Sequence, residues 1–568
     1  SLNHPIDTKK NSLHRTFKET TTARIVSLKR CIFCTLSGII LWLVMIIESN
    51  AQSLDPQTSP STNPSLITAP SLDKVVATAL ETFYTPGASV AIVHQGQIVH
   101  AKGYGFRDFK KKTPVTKDTY FRLASTSKAF TAATMAILVD EGKVQWDDKV
   151  IDFLPNFALS DPATTSAFTI LDLFTHRSGL VGGAGDSMLW PEPTGFTRAE
   201  IIHNLRYLTP EYRFRSTYGY SNVMYITAAE VVAKIANQPW EQFLHERIFA
   251  PLQMDCYASS PPDTALNNAA MGYGHNDERG IYPIPRNAIN NQSIVSAPAG
   301  GIICNASSMA IWLQTLLNEA HTPSGAALIS REQLNQIFTP QMPLFISEHD
   351  KQTHRTHSKS YAIGWRIQNI YGYEMISHTG TLSGYQAYAA IIPELELGVI
   401  ILNNGSNYGV RDSVMQTIIK SVMPEAKPVD WIDHYIDYQA KQEQRYLRRL
   451  LPEPKGSGTV LLPLSSYLGT FCDEWFGEVN LYQDQNNIYR FSSAKMPTLR
   501  GRLEAFDQHS WIVRWDNQNA ASDAFVHFEV NPDNTIKGFS MYPYTAKEII
   551  NHEYRDMFFV PQPALHDN

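Results

Sequence analysis

The chain has 568 residues, 43% hydrophobic and 11% aromatic, which is the composition of a folded protein of about two to four domains rather than of a disordered one. Its formal net charge is only -6 and no long Lys/Arg run occurs, so nothing points to a nucleic-acid partner. A small-molecule or peptide substrate remains open.

In chain order, the first feature is Cys31–Ile47 (CIFCTLSGIILWLVMII), an uncharged apolar segment behind Lys29 and Arg30. With small residues at Ser49 and Ala51, it reads as an export signal cut after Ala51. The alternative is an uncleaved membrane anchor through residues 31–47. Either way the protein is expected to be exported, periplasmic or secreted. Cys31 and Cys34 are apolar filling within that segment, and Cys256, Cys304 and Cys472 allow at most one bridge. Residues 52–70, rich in Ser, Thr and Pro, read as a tether.

Order is expected from residue 71. GASVAIVHQGQIVHAKGYGF (87–106) carries two apolar runs around Gln95-Gly96, a hairpin signal. Helical patterns follow near 125–141, 198–208, 222–236 and 306–318, then strand-like segments at 361–367, 373–378, 385–393 and 397–404. Early and late strands are expected to share one antiparallel sheet flanked by helices, with a helical insertion between them, an α/β (α+β) domain over 71–427. Residues 428–464 read as an amphipathic connector helix (431–451) and a linker, PEPKGSG. Short alternating strands over 465–560 suggest a small antiparallel β-barrel or sandwich, with a tail at 561–568. No residue in this second domain stands out as catalytic.

Chemistry is concentrated in FRLASTSKAFTAA (121–133). Ser125 and Lys128 are spaced i, i+3, which on a helix puts amine and hydroxyl on one face. A hydroxyl needs a neighbour to take its proton, and a helix N-terminus offers N–H groups to a developing oxyanion. Alone, SxxK is weak evidence. Downstream lie Tyr220-Ser221-Asn222 and His378-Thr379-Gly380.

With SxxK, Tyr-x-Asn and HTG in this order, the chain resembles the serine β-lactamase and penicillin-binding-protein superfamily in its class C branch, which includes D-aminopeptidase, esterase and DD-peptidase relatives. LFTHRSGL (173–180), SAPAGGIICNASSMAIW (296–312) and HTGTLSGY (378–385) look like that family's landmarks. The resemblance covers about residues 72–425, and the segment after 465 is similar to a lipocalin-like β-domain found in relatives. It implies a β-lactamase-like fold and an acyl-enzyme without metal or organic cofactor. Ser125 would be the nucleophile, and Lys128 and Tyr220 would share its proton, the charge of Lys128 favouring the Tyr220 phenolate. The backbone N–H groups of Ser125 and Thr381 would form the oxyanion hole. Asn222 would orient the substrate's acyl-side amide, while Thr379 and Gly380 would bind substrate along the strand edge. His378 replaces the Lys that heads the third motif in β-lactamases, so it would face a substrate carboxylate only weakly, and peptide or ester hydrolysis ranks above β-lactam resistance.

The rival reading is a catalytically weak penicillin-binding or scaffold, filament-forming protein that keeps the fold. His176 reads as structural, fixing a loop through hydrogen bonds. His349, His354 and His357 lie in a polar stretch with nothing to impose the geometry of a metal site.

Overall fold

Two apolar runs separated by some three hundred residues lie side by side. Gly87–His94 pairs antiparallel with Leu397–Asn403, Val90 opposite Ile401. Val90, Ile92, Val399 and Ile401 point to one face of the sheet, and Ala91, Val93, Ile400 and Leu402 to the other, all buried. Because both faces are covered, these strands read in sequence as continuous apolar runs rather than as alternating ones.

The computed structural model describes residues 64–284, 294–450, 452–519, 521–544 and 553–563. The apolar segment 31–47, most of the 52–70 tether and the end of the chain lie outside them. Among the described residues no helix is long and apolar enough to cross a membrane. The central sheet has nine antiparallel strands in the spatial order Thr113–Pro114, Gln97–Asp108, Gly87–His94, Leu397–Asn403, Tyr385–Ile392, Tyr373–Leu382, Arg366–Ile370, Lys359–Tyr361 and Met342–Pro343. Gln95 and Gly96, with φ of 52° and 76°, make the left-handed turn of the first hairpin.

Helices Ala69–Thr82, Gly409–Ser421 and Trp431–Arg448 cover one face through Val76, Ile418 and Trp431. On the other face, Lys128–Asp140 and Ala306–Leu317 contribute Phe130 and Leu313. The segment YAIGWRI is not one strand. Gly364, at φ 76°, turns the chain between Lys359–Tyr361 and Arg366–Ile370, which pair with each other. The polar stretch around 350 is also more regular than expected. Ser347 caps a helix, Glu348–His354, whose His349 and His354 meet His434 and Lys420 at 2.9 and 2.8 Å.

The C-terminal strands form an eight-stranded antiparallel sheet, nearly closed where Phe539 and Phe559 exchange backbone hydrogen bonds. This barrel does not stand apart from the domain that precedes it. Its buried Phe491, Trp511 and Phe539 belong to the same apolar cluster as Phe130 and Leu313. Polar contacts fasten it as well: Gly195 N–H donates to the Lys495 carbonyl (2.6 Å), Asn204 to the Trp475 carbonyl (2.9 Å) and Thr498 to the Glu192 carbonyl (3.2 Å).

Candidate active site

From Phe121 to Val139 every residue is buried except Ser125. It sits in a short 3-10 turn, Ala124–Ser127, leading into the helix Lys128–Asp140. Ala124 precedes it at φ 48°, an unfavourable left-handed conformation that presents the Ser125 side chain to a cavity. The helix is apolar on all sides, as befits an element buried all round, and it carries Lys128 into the interior with no solvent exposure.

Lys128 Nζ lies 3.2 Å from Ser125 Oγ, 2.7 Å from Asn222 Oδ1 and 2.6 Å from the Ala299 carbonyl oxygen. Burial holds its pKa well below the ordinary 10.5, the positive Arg366 acts in the same direction, and Asp186 opposes both. Asn222 begins the helix Asn222–Ala236, and both ends of its amide are taken, since its Nδ2 donates to both carboxylate oxygens of Asp186 at 3.1 Å. The structure therefore places Asn222 as a bridge between Lys128 and Asp186 at the cavity wall. Sheltered from bulk water, the Asp186 carboxyl is pushed up to about 7, against the pull of Asn222 and Lys128.

The Tyr220 hydroxyl is buried and has no hydrogen-bond partner among the described residues. Burial raises its pKa, while Arg366 and the adjacent Ser125 lower it. Amine and phenol are both pushed towards their neutral forms, because desolvation penalises both ions, the opposite tendency to a phenolate held by an ammonium. Lys128 lies 4.6 Å above the Tyr220 ring. His176 has the structural place expected of it. Its Nδ1 accepts from Ser221 N–H (2.8 Å), its carbonyl accepts from Gly219 N–H (2.8 Å), and its ring lies 4.2 Å from that of Tyr220.

The strand Tyr373–Leu382 runs past Ser125. A Cβ on Gly380 would stand 2.9 Å from Ser125 N and 2.7 Å from the Leu123 carbonyl oxygen, so only glycine admits this approach. Thr379 and Thr381 line the cavity. His378 does not; it is 1% exposed, with Nδ1 2.6 Å from the Thr379 carbonyl oxygen and Nε2 3.0 Å from the Tyr361 hydroxyl. Burial, with Arg366 and Lys128 nearby, holds its pKa well below 6.5. A neutral ring with both nitrogens engaged cannot receive a substrate carboxylate, contrary to the sequence-based expectation. The cation on the cavity wall is Arg366, bonded to Tyr218 and near His378, with no Asp or Glu ion-paired to it among the described residues.

The cavity, of about 630 Å³, is walled on one side by these residues and on the other by the barrel, whose Phe476, Phe491, Leu499, Met541 and Met557 face it. No local pattern in the sequence marked Asp186, Arg366 or this barrel wall as parts of the site.

The Beta-lactamase family profile matches residues 72–422. The chain belongs to the Beta-lactamase family. A second profile, for a domain of unknown function (DUF3471), matches residues 453–557. This Beta-lactamase family chain is 30% identical over 489 residues to the unguisins hydrolase ungD' of Aspergillus campestris, covering 81% of this chain and 87% of that one. Among solved structures it is similar to the octameric penicillin-binding protein homologue from Pyrococcus abyssi, at TM-score 0.54 and 18% identity over 87% of this chain and all of that one. It also resembles the D-amino acid amidase of Ochrobactrum anthropi SV3 complexed with D-phenylalanine, at TM-score 0.51 and 20% identity, covering 62% of this chain and 100% of that one. At these identities the two structures speak for the fold.

Proposed function

We propose that the protein is an exported serine hydrolase that cleaves amide or ester bonds through an acyl-enzyme on Ser125, with peptides of the D-amino-acid or cell-wall type and small esters ranking ahead of β-lactams. The observation that carries this reading is the environment of Lys128. Its Nζ contacts Ser125 Oγ, Asn222 Oδ1 and the Ala299 carbonyl, three groups that can each accept from an ammonium; once neutral, the amine keeps N–H bonds to Asn222 and Ala299 and turns its lone pair to the Ser125 hydroxyl.

Lys128 takes the Ser125 proton as the bond from Oγ to the substrate carbonyl carbon forms and the carbonyl π pair moves onto oxygen. The backbone N–H groups of Ser125 and Thr381 are assigned to that oxyanion. Collapse breaks the bond to the leaving group, which takes the Tyr220 phenolic proton as Lys128 returns one to Tyr220. Water then attacks the acyl-enzyme by the same transfers in reverse, releasing the acid and restoring Ser125. Asp186 acts as a positioning residue through Asn222.

Arg366 is assigned to an anionic group of the substrate, such as a peptide carboxylate, because a sheltered guanidinium without an internal anion gains most from one supplied by a ligand. The name of the relative, an unguisins hydrolase, favours hydrolysis. Export is favoured by the apolar segment 31–47 and by the Cys256–Cys304 disulfide, a bond that persists in oxidising compartments.

The test is the intact mass of the protein after treatment with a small fluorophosphonate. One adduct is expected, lost in Ser125→Ala. An adduct that persists in the variant would place the nucleophile elsewhere.

A further inference from the structure

We infer that the C-terminal barrel builds the specificity pocket of the catalytic cavity, and that the pocket selects substrates carrying a large apolar group, of benzyl size or greater, next to the scissile bond. The inference rests on Ser125 being the nucleophile. It begins from where the barrel is attached. Several of its fastenings lie at or next to cavity-lining residues such as Pro191, Ser383, Asn517 and Met557: besides the contacts at Glu192, Gly195 and Asn204, Ser383 Oγ donates to the Asn519 carbonyl (2.5 Å), Tyr282 donates to Asn519 Oδ1 (2.7 Å) and Thr209 N–H to Asp556 (2.9 Å). Three separated segments of the hydrolase domain therefore hold the barrel where it lines the same cavity as Ser125.

What the barrel presents there is mainly apolar, with Asn517, Glu553 and Tyr554 among it. Phe476, Phe491, Leu499, Met541 and Met557 share the cavity with Ser125, and on the hydrolase side Trp190 and Leu382 extend the same lining. Groups of this kind normally close upon one another in a barrel core. Here they border a volume of about 630 Å³, the size of a site that encloses a small organic ligand. Two of the five are methionines, whose flexible thioethers adapt to ligands of differing shape. Ser125, Tyr220, Asn222, Asp186 and Arg366 supply the polar groups of the hydrolase side, while Asn517, Glu553 and Tyr554 add polar groups at the barrel side. A substrate fitting both walls presents its reacting carbonyl and any anionic group to one and an apolar side chain to the other. Burying that side chain gives the selectivity.

The full chain is tested with two ester series, ethyl esters of acids from acetic to octanoic and 3-phenylpropanoic, and acetates of alcohols from ethanol to octanol and benzyl alcohol. In at least one series kcat/KM should rise roughly tenfold or more towards the large apolar member. Flat profiles in both overturn the proposal. Two barrel variants locate the effect: Ala521→Phe, at a half-buried position on the wall, should move the optimum to shorter chains, and Met541→Ala to longer ones. An unchanged optimum in a folded variant overturns the barrel's part; if neither variant folds, the wild-type profiles decide. Fluorophosphonate labelling of Ser125 is measured on the same preparation. No label there means the nucleophile assignment has failed, whereas a labelled Ser125 with flat profiles means that this inference has failed.

Discussion

Asn222 donates from one nitrogen to both oxygens of Asp186, at 3.1 Å each, while its own oxygen accepts from Lys128 at 2.7 Å. A carboxyl that sequence reading did not single out is thereby coupled to the amine beside Ser125.

The coupling has a sign. The negative charge of Asp186 favours protonated Lys128, so removing it should make the amine easier to deprotonate. In Asp186→Asn the acidic limb of the kcat/KM profile against pH should move to lower pH. The maximum should fall roughly tenfold, as Asn222 loses a charge-assisted hydrogen bond. A lower maximum with an unmoved limb would mean that Asp186 acts through packing alone.

Arg366→Gln should lower the ratio of kcat/KM for a dipeptide with a free C-terminal carboxylate to that for the same dipeptide amide by roughly tenfold or more. The ratio is the informative quantity because Arg366 also lies 5.7 Å from the Tyr220 ring and will affect the common rate. Equal losses on both substrates would remove Arg366 from carboxylate recognition. His378, enclosed and neutral, should give the wild type no gain in this ratio as pH falls to 6.

Asp172 anchors the segments that present Tyr220. It is fully buried and accepts from Arg177 (2.7 Å), Arg215 (2.7 Å) and the Thr169 N–H (2.9 Å). Burial alone would raise its pKa, but the bonds from Arg215, Thr169 and Arg177 outweigh burial and hold it below 3.8. A lowered carboxyl pKa stabilises the fold above the unfolded value, and that contribution is lost as pH falls through the folded value. Asp172→Asn should cost about 3 kcal/mol at neutral pH, the low end for a broken buried pair because Arg215 keeps contact with solvent. The gap between wild type and variant in thermal or denaturant unfolding should be full at pH 7 and shrink below pH 3.8. A gap independent of pH would show that the carboxylate's charge is not the cause.

Much of this was legible in the sequence because it is local. Ser125 and Lys128 are one helical turn apart, Tyr220 and Asn222 adjoin a helix start, and continuous apolar runs marked the covered sheet. Arg366 was hidden because YAIGWRI reads as one strand, whereas the turn at Gly364 brings the strand bearing Arg366 to the cavity. Thr498 and Glu192, 306 positions apart, illustrate why the barrel wall left no trace: contacts at such separation have no periodicity to detect. His378 misled for a different reason. Motif position suggested a ring that faces a substrate carboxylate weakly, whereas the ring is enclosed between Tyr361 and the strand backbone.

The central claim, that neutral Lys128 activates Ser125, is tested most directly by the rate of fluorophosphonate inactivation as a function of pH. The account predicts a rate that rises through an ionisation well below 10.5 and keeps this limb in Tyr220→Phe, though with a lower plateau. A limb lying at or above 10.5 in the wild type, or one that vanishes with the Tyr220 hydroxyl, would contradict it.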